Sequence, residues 1–112
     1  MYAKAAERSI VNLNAFVSPT NYLAYFNLSN GTVGTTLNCT ANITNVGSGW
    51  YRCSMTFTSL AGASDIGVRP CIVDGNTSYT GDGTSGLFVW GAQLELGSTA
   101  TSYQRVTTAT DY

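Results

Sequence analysis

Residues 10–28 read Ile10-Val11-Asn12-Leu13-Asn14-Ala15-Phe16-Val17-Ser18-Pro19-Thr20-Asn21-Tyr22-Leu23-Ala24-Tyr25-Phe26-Asn27-Leu28. Val11, Leu13, Ala15 and Val17 recur at every second position, with Asn12 and Asn14 between them. A period of two puts alternate side chains on opposite faces of an extended chain, so this stretch reads as a half-buried strand. Pro19-Thr20-Asn21 turns the chain, because proline fixes φ and asparagine tolerates turn geometry. Beyond the turn, Tyr22, Ala24, Phe26 and Leu28 share a face opposite Leu23, Tyr25 and Asn27. Two alternating runs across a short turn predict an antiparallel pair.

The pattern continues outward. Ser29-Asn30-Gly31-Thr32 holds the Asn-Gly pair of a tight hairpin, whose two central residues must accept positive φ. Thr32 to Leu37 reads as a short return strand. Cys39, Ala41 and Ile43 then alternate with Thr40, Asn42 and Thr44. Gly47-Ser48-Gly49 separates that strand from Trp50 to Ser59, where Tyr51, Cys53, Met55 and Phe57 face inward and Trp50, Arg52, Ser54, Thr56 and Thr58 face outward. The run Asp65 to Val73 puts Ile66, Val68, Pro70 and Ile72 on one side, and Pro70, which has no N–H, marks an edge or a bulge. Asp74 to Ser85 reads as a loop. Gly86 to Glu95 places Phe88, Trp90, Ala92 and Leu94 together against Val89, Gln93 and Glu95, which assigns Trp90 to the core. The one segment with helical propensity, Ala3 to Glu7, is too short to nucleate alone.

About seven short strands spaced by roughly 8 to 12 residues predict an all-β fold, an antiparallel β-sandwich. No crossover helix exists to join parallel neighbours. The 112 residues fit a single domain, with a strand core over residues 9–96 and a polar tail over 97–112.

Charged residues make up 10% of the chain, against about 25% in ordinary soluble proteins. Thr, Ser, Asn and Gly must therefore cover the surface, which suits strands and turns. A net charge of −1 leaves no basic patch to neutralise phosphates, so nucleic acid is not an expected partner. No apolar run reaches the roughly 20 residues of a membrane-spanning helix. Met1 to Arg8 lack the apolar stretch of a signal peptide, so the expectation is a chain made without a cleavable leader. Cys39, Cys53 and Cys71 are odd in number and lack metal-ligand spacing, so buried reduced thiols in a reducing compartment are expected. Five Asn-x-Ser/Thr sequons, beginning at Asn27, Asn30, Asn38, Asn42 and Asn76, follow by chance from so much Asn and Thr.

The chain has no histidine, hence no imidazole base and no Ser-His or Cys-His pair. Its six carboxylates, Glu7, Asp65, Asp74, Asp82, Glu95 and Asp111, are scattered. A glycosidase needs two carboxylates about 5 to 9.5 Å apart. Only a meeting of Asp65 or Asp74 with Glu95 would supply such a pair, and no enzymatic activity is expected. Asp74-Gly75-Asn76 and Asp82-Gly83 could offer oxygens to calcium, but EF-hand spacing is not met and Asp-Gly is ordinary turn chemistry. Neither a metal nor a cofactor is expected.

Sugar sites use aromatic faces against pyranose rings and Arg, Asn, Gln or carboxylate groups to fix hydroxyls. On the alternation above, Asn12, Asn14, Tyr25, Arg52, Arg69, Gln93 and Glu95 belong to non-core faces, and Tyr79 lies in the long loop. Tyr25, Arg52, Arg69, Tyr79, Gln93 and Glu95 are therefore the candidate glycan-binding residues, provided that they share one concave face. On the alternative reading, Arg52 and Arg69 pair with Glu95 or Asp65 on a solvated sheet. Trp50 opens its strand beside a turn and fits either a core or a platform.

Three stretches carry a family resemblance: Tyr2-Ala3-Lys4-Ala5, Gly49-Trp50-Tyr51-Arg52, and Gly81 to Glu95 leading into Gly97-Ser98-Thr99-Ala100-Thr101-Ser102-Tyr103. Together they resemble the C-terminal jelly-roll module of bacteriophage tail fibre, tailspike and minor tail proteins, which is similar in fold to carbohydrate-binding modules. The resemblance spans essentially the whole chain. It implies a jelly roll in a virion assembled in the bacterial host cytoplasm, with structural and host-surface glycan-recognition roles. It also implies self-association, as a homotrimer, and contacts with other virion proteins. Tailspike depolymerases of this kind carry catalysis in a separate β-helix, and related sugar-binding modules often hold calcium near the last strand. Here that place reads Trp90-Gly91, so the ligand pair is lost. Members of the family have further strands before the position matching Tyr2, which implies an incomplete jelly roll with unpaired edges, completed by other copies, by another chain or by closure on itself. A purely structural virion decoration, contacting only other virion proteins, agrees equally with low charge, abundant Thr and Gly, and missing strands.

Overall fold

The structure, a computed structural model, describes residues 1–58, 65–95, 97 and 99–103. Eight strands follow in order: β1 (Tyr2–Ala5), β2 (Ile10–Val17), β3 (Thr20–Asn27), β4 (Thr32–Leu37), β5 (Thr40–Gly47), β6 (Trp50–Thr56), β7 (Asp65–Cys71) and β8 (Leu87–Trp90). They form two four-stranded sheets, β5-β6-β1-β8 and β4-β3-β2-β7, in which every ladder is antiparallel. The molecule is an antiparallel β-sandwich, as the alternating sequence predicts. Of the segment Ala3 to Glu7, whose helical propensity is too weak to act alone, Ala3 to Ala5 belong to the strand β1 between β6 and β8.

The β2–β3 ladder pairs Val11 with Phe26, Leu13 with Ala24 and Ala15 with Tyr22, so the pairing parity read from residues 10–28 holds. The strand is not half-buried, however: Asn12, Asn14 and Tyr25, on the face expected to be non-core, are buried too. Val11, Ala24, Phe26 and Leu28 meet Ala3 and Cys53 of the facing sheet in the buried centre. Leu13, Ile43, Tyr51, Met55 and Leu87 close around them. Small residues at Ala3 and Ala24 leave room for the fully buried Phe26 ring. Cys53 and Cys71 are buried, Cys39 is half-buried, and all three are free thiols. Burial pushes the Cys53 thiol up to about 12.

Two turns refine the expectation. Residues 28–31 connect β3 to β4, and there Gly31 has φ +72 while Asn30 keeps negative φ, so the Asn-Gly pair sits in a longer connection than a two-residue hairpin. Between β5 and β6, Gly47, Ser48 and Gly49 all take positive φ, which two glycines make accessible. Pro70 lies on β7, an edge strand among the described residues, where a missing N–H is tolerated.

The last strand departs from its prediction. It covers only Leu87–Trp90, and its register pairs Val89 with the core residue Ala3, Phe88 with Lys4, and Trp90 with Tyr2. Leu87 packs on the core, while Phe88 and Trp90 point outward at 56% and 47% exposure. The chain leaves the strand at Gly91 (φ +65), so the alternation never reaches Ala92 and Leu94. Both faces of 87–90 are apolar, and pairing with β1 rather than hydrophobicity decides which face turns in.

The flank between β7 and β8 is open. Ile66 and Val68 pair with the inward residues Ala15 and Leu13, and Val89 with Ala3, yet they are 50%, 37% and 48% exposed.

Candidate ligand-binding surface

The outer face of the β5-β6-β1-β8 sheet is set by residue parity. Thr40, Asn42 and Thr44 stand opposite Thr56, Ser54 and Arg52 on β6. Arg52 pairs with Tyr2 on β1, and Tyr2 with Trp90 on β8, so one row crosses all four strands as Thr44–Arg52–Tyr2–Trp90. The next row carries Trp50, Lys4 and Phe88. Hydroxyls and an amide occupy the β5 side, and aromatic rings occupy the β8 side.

Residues 99–103 lie over this face. The Arg52 guanidinium donates from Nη2 to the Thr101 carbonyl and sits 5.8 Å from the centre of the Tyr2 ring. Glu95 accepts from the Thr101 hydroxyl at 2.8 Å, from the Thr101 N–H at 3.2 Å, and from Gln93 Nε2 at 2.6 Å. Hydrogen bonds from Gln93 and Thr101 hold its carboxyl below the usual glutamate range. Gln93 also donates to the Ser102 carbonyl at 3.4 Å.

The Tyr2 and Trp90 rings stack at 4.4 Å with an interplanar angle of 11°, and Tyr103 meets Trp90 edge-on at 5.2 Å. Gly91 makes this cluster possible, since a Cβ there would lie 3.2 Å from both the Tyr2 and Tyr103 rings. Between the Thr99-Ala100 segment and the strands runs a groove of about 300 Å³, lined by Thr40, Asn42, Thr44, Arg52, Ser54 and Thr56. A wider cleft of about 790 Å³ opens at the sandwich end around the Tyr22–Phe57 stack, and among the described residues its lining holds no charged side chain.

The six residues singled out from the sequence do not share one groove. Arg52, Gln93 and Glu95 meet at Thr101 on the first sheet. Tyr25 and Arg69 flank Asn12 in a row on the outer face of the other sheet. Tyr25 is 4% exposed, packed with Ile10, Leu23 and Cys71 beneath the loop that follows β7. Its hydroxyl is hydrogen-bonded with Thr77, and burial raises its pKa, so its ring is no platform for a ligand. Tyr79 lies under the Arg8 guanidinium, 5.1 Å from ring centre, and Arg8 also pairs with Asp82 at 3.7 Å.

The turn carboxylates are used locally. Asp74 accepts from the Thr35 N–H at 2.9 Å and hydroxyl at 2.7 Å; a Cβ on Gly34 would lie 2.1 Å from its Oδ1, so only glycine admits this approach. Asp82 accepts from the Thr84 and Ser85 N–H groups at 2.9 and 2.7 Å, and the Ser85 hydroxyl and these N–H donors pull its pKa down. Among the described residues no cluster of three His, Cys, Asp or Glu side chains could hold a metal. Asp65 lies on β7 of one sheet, whereas Glu95, beyond the end of β8, is engaged by Thr101 over the outer face of the other.

Residues that the sequence reading missed are Tyr2, Trp90 and Tyr103. Tyr2 and Trp90 become neighbours only through the β1–β8 register, and Tyr103 through the return of the polar tail. Comparison of the chain with protein-family models, with curated proteins and with solved structures finds no match.

Proposed function

We propose that the chain is a non-enzymatic recognition module of a virion appendage, of the bacteriophage tail-fibre kind, that holds a host-surface glycan on the outer face of the β5-β6-β1-β8 sheet. The observation that carries this reading is the juxtaposition of the exposed Trp90–Tyr103–Tyr2 cluster with a groove of neutral hydroxyl and amide groups. Ring faces accept the apolar face of a pyranose, and Thr, Ser and Asn exchange hydrogen bonds with its hydroxyls. Arg52, already oriented by Thr101 and Tyr2, supplies the one cation among the described residues of the groove lining. The setting in a virion rests on the resemblance of residues 81–103 and on the free thiols, which suit assembly in a reducing cytoplasm.

Immobilised bacterial surface polysaccharides test it. The wild-type chain binds at least one, and Trp90→Ala, with an unchanged β-rich circular dichroism spectrum, binds about tenfold more weakly or worse. Wild-type binding by a folded Trp90→Ala chain would sink the reading.

A second reading, a structural virion part that self-associates as a homotrimer and touches only other virion proteins, is favoured by the open flank. Ile66, Val68 and Val89 are core-directed side chains left in contact with water, as expected where another subunit covers them. Light scattering separates the readings: a trimer that Val89→Asp dissociates supports assembly through this flank, and a wild-type monomer contradicts it.

A further inference from the structure

Gly67 has no conformational reason to be glycine. Its φ lies outside the left-handed region, and a Cβ there would have no described atom nearer than 3.6 Å. What glycine leaves is a notch on the outer face of the β4-β3-β2-β7 sheet, remote in the fold from the Trp90 surface. The three atoms nearest to the vacant Cβ position are polar: Asn14 Oδ1 at 3.6 Å, Arg69 Nε at 3.8 Å and Arg69 Nη2 at 4.0 Å. Nε and Nη2 form the guanidinium edge that grips a carboxylate with two parallel hydrogen bonds. Among the described residues the Arg69 guanidinium forms no ion pair and no hydrogen bond, only its backbone carbonyl accepting from the Cys71 thiol, and the residue is exposed.

The floor of the face is amide. Asn14 is 6% exposed, and Asn12, beside Arg69 in the ladder, is fully buried with its Oδ1 lacking a hydrogen-bond partner. Two buried amides in a strand cost stability unless they are satisfied. An acceptor oxygen beside a donor fork matches a group that is anionic on one side and a hydroxyl on the other.

We infer that the notch over Gly67 binds a sugar acid, with the uronate carboxylate side-on against Arg69 Nε and Nη2 and the neighbouring ring hydroxyl donating to Asn14 Oδ1. The choice of a sugar, rather than another hydroxy acid, rests on the glycan-binding reading above. Asp65, two residues earlier on the same strand face, opposes a second negative charge, so the ligand carries one carboxylate per unit.

The test is a titration of the ¹⁵N-labelled full chain with sodium galacturonate, galactose and sodium acetate. Galacturonate shifts the Gly67 backbone amide and the Asn14 side-chain amide. Galactose, without the carboxylate, and acetate, without the hydroxyl, bind about tenfold more weakly or not at all. Gly67→Val fills the notch with a strand-forming residue and abolishes the shift at Asn14. Arg69→Lys keeps the charge, loses the fork and weakens binding about tenfold. Should Gly67→Val fail to fold, Gly67→Ala and Arg69→Lys carry the same comparison. Absence of galacturonate-induced shifts at Gly67 and Asn14, or wild-type affinity in the folded Gly67 and Arg69 variants, overturns the proposal. The Trp90 indole signal reports the other surface separately. A chain that binds galacturonate at Gly67 without any ligand at Trp90 refutes the first site alone, and the reverse result refutes this one.

Discussion

The two faces of the β5-β6-β1-β8 sheet are built from alternating residues of the same strands, and they divide chemistry sharply. Inward stand Ala3, Ile43, Cys53 and Leu87; outward stand Tyr2, Thr44, Arg52 and Trp90. The inner face is small and apolar because the opposite sheet brings Phe26, Val11 and Leu28 against it. The outer face carries the large rings, stacked on each other and roofed by residues 99–103. Large rings that the core does not bury thus sit half-exposed beside hydroxyls.

That contrast has consequences for mutation and pH. Across the interior, Phe26→Ala empties a fully buried site and costs about 3 to 5 kcal/mol in chemical denaturation. Trp90→Ala removes a larger ring but a half-exposed one, and costs about 1 to 2 kcal/mol. Equal losses for the two would erase the distinction between the faces.

Alkaline pH probes the inner face through Cys53. The Cys53 thiol titrates near 9.0 when unfolded and at about 12 when folded. The raised folded pKa means that its contribution is complete below pH 9 and is lost as pH climbs towards 12. The loss is on the order of 4 kcal/mol. Cys39, Cys71 and Tyr25, also raised by burial, push in the same direction, so the comparison is between wild type and Cys53→Ala. The wild type should lose stability more steeply over this window; parallel curves would contradict a buried neutral thiol at position 53.

The smallest effect belongs to the outer face in acid. Glu95 has a lowered folded pKa, so its contribution is present above the usual glutamate value of 4.5 and is lost as pH falls through the lower folded value. Protonation weakens its hold on Thr101 and frees the segment over Arg52 and Trp90. Tryptophan fluorescence should change below about pH 4.5 without global unfolding, and Glu95→Gln should show part of the change at neutral pH. An acid response unaltered by Glu95→Gln would detach the segment from this carboxylate.

Much of the sandwich is legible in the sequence because its central strands alternate cleanly. The inward series Val11-Leu13-Ala15, Ala24-Phe26-Leu28 and Tyr51-Cys53-Met55 recur at every second position, and the ladders follow that parity. Legibility fails where both faces of a strand are apolar. In Leu87-Phe88-Val89-Trp90 either parity buries two large residues, and only pairing with Ala3 turns Trp90 outward. It fails again at Tyr25, whose face reads as solvent-directed until the loop after β7, pinned by Asp74 and Thr77, folds across it. The candidate site was half visible: Arg52, Gln93 and Glu95 carry recognisable polar chemistry, but their meeting at Thr101 depends on a tail that has no strand pattern.

The most direct test of the account follows the two indole N–H signals, Trp50 and Trp90, and the Thr101 amide while a polysaccharide fragment that the chain binds is added. Trp90 and Thr101 should move together with saturable dependence on ligand, while Val68 and Ile66 on the open flank stay fixed. Shifts confined to that flank, with Trp90 unmoved, would place recognition elsewhere and contradict it.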